Sequence, residues 1–349
     1  MRMTKVMIID DSALTRSVLQ NIINADPGMQ VVGTAIDPII AAKKIGQVNP
    51  DVITLDLEMP RMDGLTFLRK LMLTSPRPVV VIAGNSTKSS HNAIKALEYG
   101  AIEIIEKPDI STPEKLSEVS GVICNAIKTA SEATLPATRY TMSTETFANE
   151  SVREYSSAGD ISNKLCVIGS STGGPDLLRE IFQSATGDLC GFIVAQHMPA
   201  MFTKSFADRL NTVSGLTIKE ASSGDYIRNN QVLIIPGDHH GVIKRDSRGY
   251  YIQLNREEKV NRHRPSVDVL FNSAAQVAGG KATGILLTGM GDDGARGLLS
   301  LRQSGANTIA QSASSCVVFG MPKRAIELQA AQHILATHEI IKRINELKF

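Results

Sequence analysis

Cys166-Val-Ile-Gly-Ser-Ser-Thr-Gly-Gly-Pro175 is an apolar run that passes into a glycine-rich turn with a serine at its tip. Gly169, Ser171 and Gly173 have the spacing Gly-x-Ser-x-Gly, in which the glycines tolerate a sharp turn and lift the serine hydroxyl clear of the backbone. Pro175 stands where a first helical turn would begin, and Leu177, Leu178, Ile181 and Phe182 follow at helical spacing. Strand, tight turn and helix in that order put Ser171 at the carboxyl end of a strand and at the positive end of a helix. Two chemistries suit such a turn. One is a nucleophilic serine beside backbone N–H groups that receive an oxyanion; the other is a cradle for phosphate. No Lys-Ser/Thr follows these glycines, which excludes a P-loop.

A serine nucleophile needs a base, and the base needs an orienting group. Of the seven histidines, His91 falls in the N-terminal part, and His333 and His338 lie in a C-terminal stretch without turn chemistry. His197 ends the run Gly191-Phe-Ile-Val-Ala-Gln-His and precedes Met198-Pro199, which puts it at a strand's carboxyl end, as Ser171 is. His239 and His240 follow Leu233-Ile-Ile-Pro-Gly-Asp, and His263 lies in the basic loop Asn261-Arg-His-Arg-Pro265. His240 and His263 are expected at the rim of the site, in structural or substrate-contact roles. The apolar run 282–287 ends in Thr288-Gly-Met-Gly-Asp-Asp-Gly294, with Asp292 and Asp293 at its tip and without the oxygen ligands of a calcium loop. Ser171, His197 and Asp293 are therefore expected at one sheet edge. Their chain order differs from the Ser, Asp, His order of the α/β-hydrolases, so the triad would be a convergent one.

In the first third of the chain, apolar runs at 6–9, 31–34, 52–55, 79–82 and 102–105 alternate with amphipathic segments at 13–23, 37–45, 65–73 and 91–97. This alternation predicts a parallel sheet wound by helices on both faces. Asp10 and Asp11 follow the first run, Asp56 the third and Lys107 the fifth. Functional groups of such sheets gather at the carboxyl ends of strands, so three carboxylates and a lysine converge at one edge. Hard oxygen ligands grouped in this way suit Mg²⁺, which neutralises an incoming phosphoryl group and lets Asp56 act as nucleophile.

The 349 residues suffice for two cores. Residues 130–163 are rich in Ser, Thr, Ala and Glu with little periodicity, the composition of a linker. The expected organisation is a first domain at 1–125, a linker at 126–163 and a second domain at 164–349. A net charge of +2 gives no pull toward nucleic acid or anionic membrane. Cys124, Cys166, Cys190 and Cys316 form no Cys-x-x-Cys pair, and three of them lie in apolar stretches, which suits a reducing cytoplasm. No secretion signal and no membrane-length apolar run stand out, and a cytoplasmic protein is expected.

Ile-Ile-Asp-Asp-Ser, Asp-Leu-Glu-Met-Pro-Arg-Met-Asp-Gly and Glu-Lys-Pro resemble the receiver domain of bacterial response regulators over residues 1–125. The resemblance implies a flavodoxin-like fold, Asp56 as phosphoacceptor, Asp10, Asp11 and Asp56 around Mg²⁺, and Lys107 on the phosphoryl group. Two positions depart from it. Ala83 stands where receivers carry Ser or Thr, and Ile104 where they carry an aromatic switch residue, so both halves of the usual relay are missing. Beyond residue 164, Gly-Ser-Ser-Thr-Gly-Gly, Gln-His-Met-Pro, Pro-Gly-Asp-His-His, Asn-Arg-His-Arg-Pro-Ser-Val-Asp, Leu-Thr-Gly-Met-Gly-Asp-Asp-Gly and Cys-Val-Val-Phe-Gly-Met-Pro resemble the catalytic domain of the chemotaxis methylesterases, the CheB family.

That resemblance implies a Rossmann-like domain, Ser171 as nucleophile, His197 as base, Asp293 as its orienter, and Thr172 and Met290 lining the oxyanion pocket. It further implies hydrolysis of glutamate γ-methyl esters on chemoreceptors, deamidation of receptor glutamines, a chemotaxis histidine kinase as phosphodonor and no cofactor for the esterase step. Many relatives carry Asn at the position of Asp292. Arg262 and Arg264 are candidates to meet acidic receptor residues. A monomer that reaches the membrane only through receptors is expected. The rival readings are a non-catalytic, phospho-regulated receptor-binding module, a DNA-binding regulator, and a general small-ester hydrolase. The near-neutral charge and the lack of a helix-turn-helix pattern oppose the DNA-binding one.

Overall fold

The long apolar runs of the sequence become strands, the central ones buried on both faces and the edge strand over 29–35 half-exposed, and the strands assemble into two separate sheets. The computed structural model describes residues 3–59, 62–84, 86–108, 113–135 and 159–349. The chain divides into two units, Met1–Thr144 and Glu145–Phe349.

The first unit holds β1 (Thr4–Ile9), α1 (Ala13–Ala25), β2 (Met29–Ala35), α2 (Pro38–Val48), β3 (Val52–Asp56), α3 (Gly64–Thr74), β4 (Val79–Ala83), α4 (Thr87–Glu98), β5 (Glu103–Glu106) and α5 (Pro113–Glu132). Its sheet runs in the order β2-β1-β3-β4-β5, and every neighbouring pair is parallel. The central strands are unbroken buried apolar runs, the pattern of a parallel sheet sandwiched between helices. Ser12, Asp37, Asp63 and Ser86 cap α1 to α4, each side chain accepting from a backbone N–H three residues on. Each such cap contributes about 1 kcal/mol. Helix α5 runs to Glu132, past the linker start expected at 126. Ile123, Ala126, Ile127 and Ala130 are buried, so a core-facing stripe continues where composition suggested a linker. Residues 136–158, the bulk of that expected linker, lie outside the described residues. Residues 159–163 do not behave as linker either, because Ile161 bridges Arg228 in the second unit.

The second unit contains β6 (Leu165–Ser170), α6 (Gly174–Gln183), β7 (Gly191–Gln196), α7 (Ala200–Val213), β8 (Thr217–Glu220), β9 (Gln231–Ile234), β10 (His240–Arg245), β11 (Tyr250–Asn255), α8 (Val267–Ala278), β12 (Ala282–Leu286), α9 (Ala295–Gln303), β13 (Asn307–Gln311), α10 (Met321–Glu327), β14 (His333–Leu335) and α11 (Thr337–Ile344). Seven strands form one parallel sheet in the order β14-β13-β12-β6-β7-β9-β8, while β10 and β11 make an antiparallel ribbon. Strand β6, first in sequence, lies between β7 and β12. The chain builds outward on one side of it and then on the other, which opens a crevice at the carboxyl ends of these strands. Helix α8 presses on the sheet directly below that crevice. A Cβ at Gly169 would lie 2.1 Å from Val267 Cγ1, so only glycine admits the helix there.

Candidate active site

Loops after β6, β7 and β12 meet at the crevice. Ser171, half-buried, follows β6; its amide donates to Thr288 O at 3.0 Å and its carbonyl accepts from Gly174 N at 2.8 Å. Gly173 completes the turn at φ +78°, a conformation that favours glycine. The loop after β12 lies against the serine, since a Cβ on Gly289 would come within 2.6 Å of Ser171 Cβ. Gln196, the buried last residue of β7, ties two of the loops together. Its Nε2 donates to the carbonyls of Ser171 (3.0 Å) and His197 (3.1 Å), and its Oε1 accepts from Ser170 Oγ at 2.6 Å.

His197 Nε2 donates to Asp293 Oδ2 at 2.8 Å. The same carboxylate accepts from Val267 N (2.7 Å), Asn261 Nδ2 (2.8 Å), Ser266 Oγ (2.8 Å) and Asp268 N (3.2 Å). Burial alone would raise this carboxyl. The hydrogen bond and charge of His197, joined by the Asn261 and Val267 donors, outweigh burial and hold it well below the usual carboxylate range. An ionised carboxylate only accepts, so Nε2 carries a proton, and when the His197 ring is neutral the lone pair is on Nδ1. That Nδ1 is buried and has no hydrogen-bond partner, and among the described residues none joins it to the Ser171 hydroxyl. A serine hydroxyl and an imidazole lone pair on adjacent loops, with the far side of the ring fixed by a carboxylate, can run general-base nucleophilic chemistry.

The other histidines and arginines meet expectation only in part. His263 is half-buried beside the base, and its ring stacks on His197 with centroids 3.7 Å apart and planes 5° from parallel. Burial, then the neighbouring His197, pushes its pKa down to about 4 and leaves it neutral near pH 7. His240 is buried, with Nε2 on Glu258 O at 2.9 Å and Nδ1 accepting from Ser266 N at 3.2 Å, a purely internal role. Arg264 is not available to a partner, because its guanidinium binds Asp238 and the carbonyls of Arg256 and Glu257. Arg262 and Asp292 are exposed. Thr172 is buried and Met290 is 39% exposed; both flank the contact between Ser171 and Gly289.

Sequence reasoning missed Gln196, Asn261 and Ser266 as supports of this site, and it gave His263 a structural or substrate-contact role without foreseeing its stack on His197. The motif around Asn261 was visible, but Asn261 and Arg262 adopt φ +51° and +69°, and that reversal brings the loop onto Asp293. Gly289, Gly291 and Gly294 also spell the Gly-x-Gly-x-x-Gly of dinucleotide turns. Here the turn presents Asp293 to a histidine, an acid where such turns receive phosphate.

The first unit gathers its own polar groups. Lys107 Nζ lies 2.6 Å from Asp56 Oδ2 and 3.7 Å from Asp10 Oδ2. Asp10, Asp11 and Asp56 each offer an oxygen within 4.8 Å of the others. Burial, opposed by Lys107 and reinforced by Asp56, pushes Asp10 up to about 6. Burial also raises Asp56 against the Lys107 and Glu58 hydrogen bonds. Asp10 Oδ2 is buried without a hydrogen-bond partner, and a hard divalent cation fits that donor set. Ala83 and Ile104 are buried in the adjacent strands β4 and β5. No helix among the described residues is long and apolar enough to cross a membrane.

Residues 166–344 match the CheB methylesterase family, and residues 6–119 match the response regulator receiver domain. A protein-glutamate methylesterase/protein-glutamine glutaminase of Bordetella parapertussis is 45% identical over 345 residues, covering 99% of this chain and 97% of the relative. One from Geobacter metallireducens is 43% identical over 353 residues, covering 99% of both. Among solved structures, the Thermotoga maritima CheB methylesterase catalytic domain superimposes with a TM-score of 0.52 at 40% identity, covering 54% of this chain and all of that domain. Similarity that runs the length of both units, on two parallel sheets with their polar groups at the strand ends, shows that the chain belongs to the CheB methylesterase family with a receiver domain preceding the catalytic one.

Proposed function

We propose that Ser171, His197 and Asp293 hydrolyse glutamate γ-methyl esters on chemoreceptors and deamidate receptor glutamines under control of the receiver. The activity class is that of the family, protein-glutamate methylesterase and protein-glutamine glutaminase. Ser171 Oγ attacks the side-chain carbonyl while His197 Nδ1 takes the hydroxyl proton. The new imidazolium donates that proton to the leaving methoxide, and methanol departs from a glutamyl ester of Ser171. Water, deprotonated in turn by Nδ1, then cleaves the acyl-enzyme and returns the serine and a glutamate carboxylate. With a glutamine substrate the same steps release ammonia. The observation that carries the reading is the committed Nε2–H of His197 on Asp293, which leaves a buried lone pair on Nδ1. We assign the oxyanion to backbone N–H groups of Thr172 and Met290, the residues beside the contact of Ser171 with Gly289.

In the receiver, Asp56 accepts the phosphoryl group from a histidine kinase, and Lys107 binds its oxygens. Asp10, Asp11 and Asp56 would hold Mg²⁺, which supplies charge neutralisation at the phosphoryl group when bound. Phosphorylation relaxes a restraint that the receiver places on access to Ser171.

The test is methanol release from methylated receptor membranes, comparing the full chain with Ser171→Ala, with and without a small-molecule phosphodonor. A fall of about a thousandfold or more in the variant is expected. Equal release from the two proteins would remove Ser171 as nucleophile, and no release from the phosphorylated parent would favour the non-catalytic binding module.

A further inference from the structure

We infer that His263 is a positioning residue for His197, a flat plate that fixes the plane of the catalytic imidazole; the inference rests on the esterase reading above. His197 has one ring hydrogen bond, Nε2 to Asp293. A single bond locates Nε2 but leaves the ring able to pivot about it, and any pivot swings Nδ1 away from the serine. A parallel ring at 3.7 Å removes that freedom, because turning His197 out of plane drives it into its neighbour.

The plate is itself registered to the carboxylate. His263 and Val260 exchange backbone hydrogen bonds at 2.9 and 3.2 Å, which closes the turn that carries Asn261. Asn261 Nδ2 donates to both Asp293 Oδ1 and Asp268 Oδ2 at 2.8 Å. The hydrogen bond on His197 thus comes from Asp293 and the stack from a second loop, which Asn261 ties to that same acid.

The charge state of His263 suits the task. Of the charged groups acting on it, Lys259 and Arg262 disfavour its cation, Asp293 favours it, and His197 disfavours it. A neutral ring stacked on His197 accommodates the imidazolium that forms there during proton transfer, whereas a second cation would oppose it.

The experiment is steady-state methanol release from methylated receptor membranes by the full-length parent, Ser171→Ala, His263→Ala, His263→Phe and His263→Gln. For His263→Ala, kcat should fall about 10- to 100-fold, the size of effect that misplacing a reacting group produces. KM should stay within about twofold, since substrate binding is not its task. His263→Phe restores a flat ring and should recover most of the lost kcat; His263→Gln should not. A second readout is ¹⁵N NMR of His197 in the Ser171→Ala background. There the Nε2-protonated tautomer should dominate, persist with Phe at 263 and become mixed with Ala. Unchanged kcat and tautomer in His263→Ala would overturn the inference, as would a raised KM with no rescue by Phe, the pattern of a substrate contact. Should the parent release no methanol, or Ser171→Ala match it, the esterase reading itself fails; a parent silenced by Ser171→Ala but indifferent to His263→Ala defeats only the stacking role.

Discussion

Asp293 in the catalytic unit and Asp10 in the receiver are both carboxylates buried at the carboxyl edge of a parallel sheet, yet their acidities move in opposite directions. Burial raises both. Asp293 has five donors directed at its two oxygens, two of them backbone amides at the start of α8, and it stays ionised. Asp10 accepts one hydrogen bond, from Ser12 N, has another carboxylate beside it, and leaves one oxygen without a hydrogen bond. Burial therefore does not set the role of such a group; the supply of donors does. A saturated carboxylate orients a neighbour, and an unsaturated one is ready to take up a cation.

Removing the saturated charge should have the largest effect. Asp293→Asn keeps the shape but lets the amide face His197 with either its oxygen or its NH₂, so the tautomer is no longer dictated. Methanol release should fall about 10⁴-fold, as loss of an orienting acid does elsewhere; a fall of less than tenfold would break the comparison. On the receiver side, Asp56→Ala should abolish uptake of radiolabelled phosphoryl groups and the rise in methanol release on phosphodonor treatment, while basal release persists. A variant still stimulated by the phosphodonor would show that Asp56 is not the control point.

Thinning the donor set tests the middle ground. Ser266→Ala removes one donor from Asp293 and should cost about 2 kcal/mol in urea unfolding of the catalytic unit, the scale of a hydrogen bond to a charged group. No loss would mean that the remaining donors suffice.

The smallest effects are in pH. His263 goes from 6.5 to about 4 in the folded chain, so its contribution to stability is present above about 6.5 and lost as pH falls through 4. Asp10 goes from 3.8 to about 6, so without metal its contribution is present below about 3.8 and lost as pH rises through 6. Between pH 4 and 6 the two groups tilt stability in opposite senses. Calorimetry of His263→Phe and Asp10→Asn against the parent should show the slope of melting temperature with pH changing in opposite directions; parallel changes would refute the pairing.

Much of this was legible in the sequence because both sheets are parallel and covered. Their strands are plain apolar runs, and the polar residue that ends each run marks the functional edge, as with Asp56 at the end of β3 and His197 after β7. The expected linker began inside helix α5 because the last turns carry Thr129, Ser131 and Glu132, which dilute the composition, while the buried stripe of Ile123, Ile127 and Ala130 carries the signal. The supports of Asp293 were not legible. Asn261 and His263 reach the site through a backbone reversal of positive φ values, and Ser266 serves as the cap of α8 while also bonding Asp293. Such geometry has no periodicity to read. Arg264 shows the converse, a cation that looked available in sequence and is consumed by Asp238.

Gln196 donates to the carbonyls of Ser171 and His197 with one amide nitrogen. A force on either loop is shared with the other, so the two travel together and their spacing is conserved under strain. The pair behaves as one rigid jaw, and the cost of an Ala at 196 would appear as scatter in the spacing of the two groups rather than as loss of the fold.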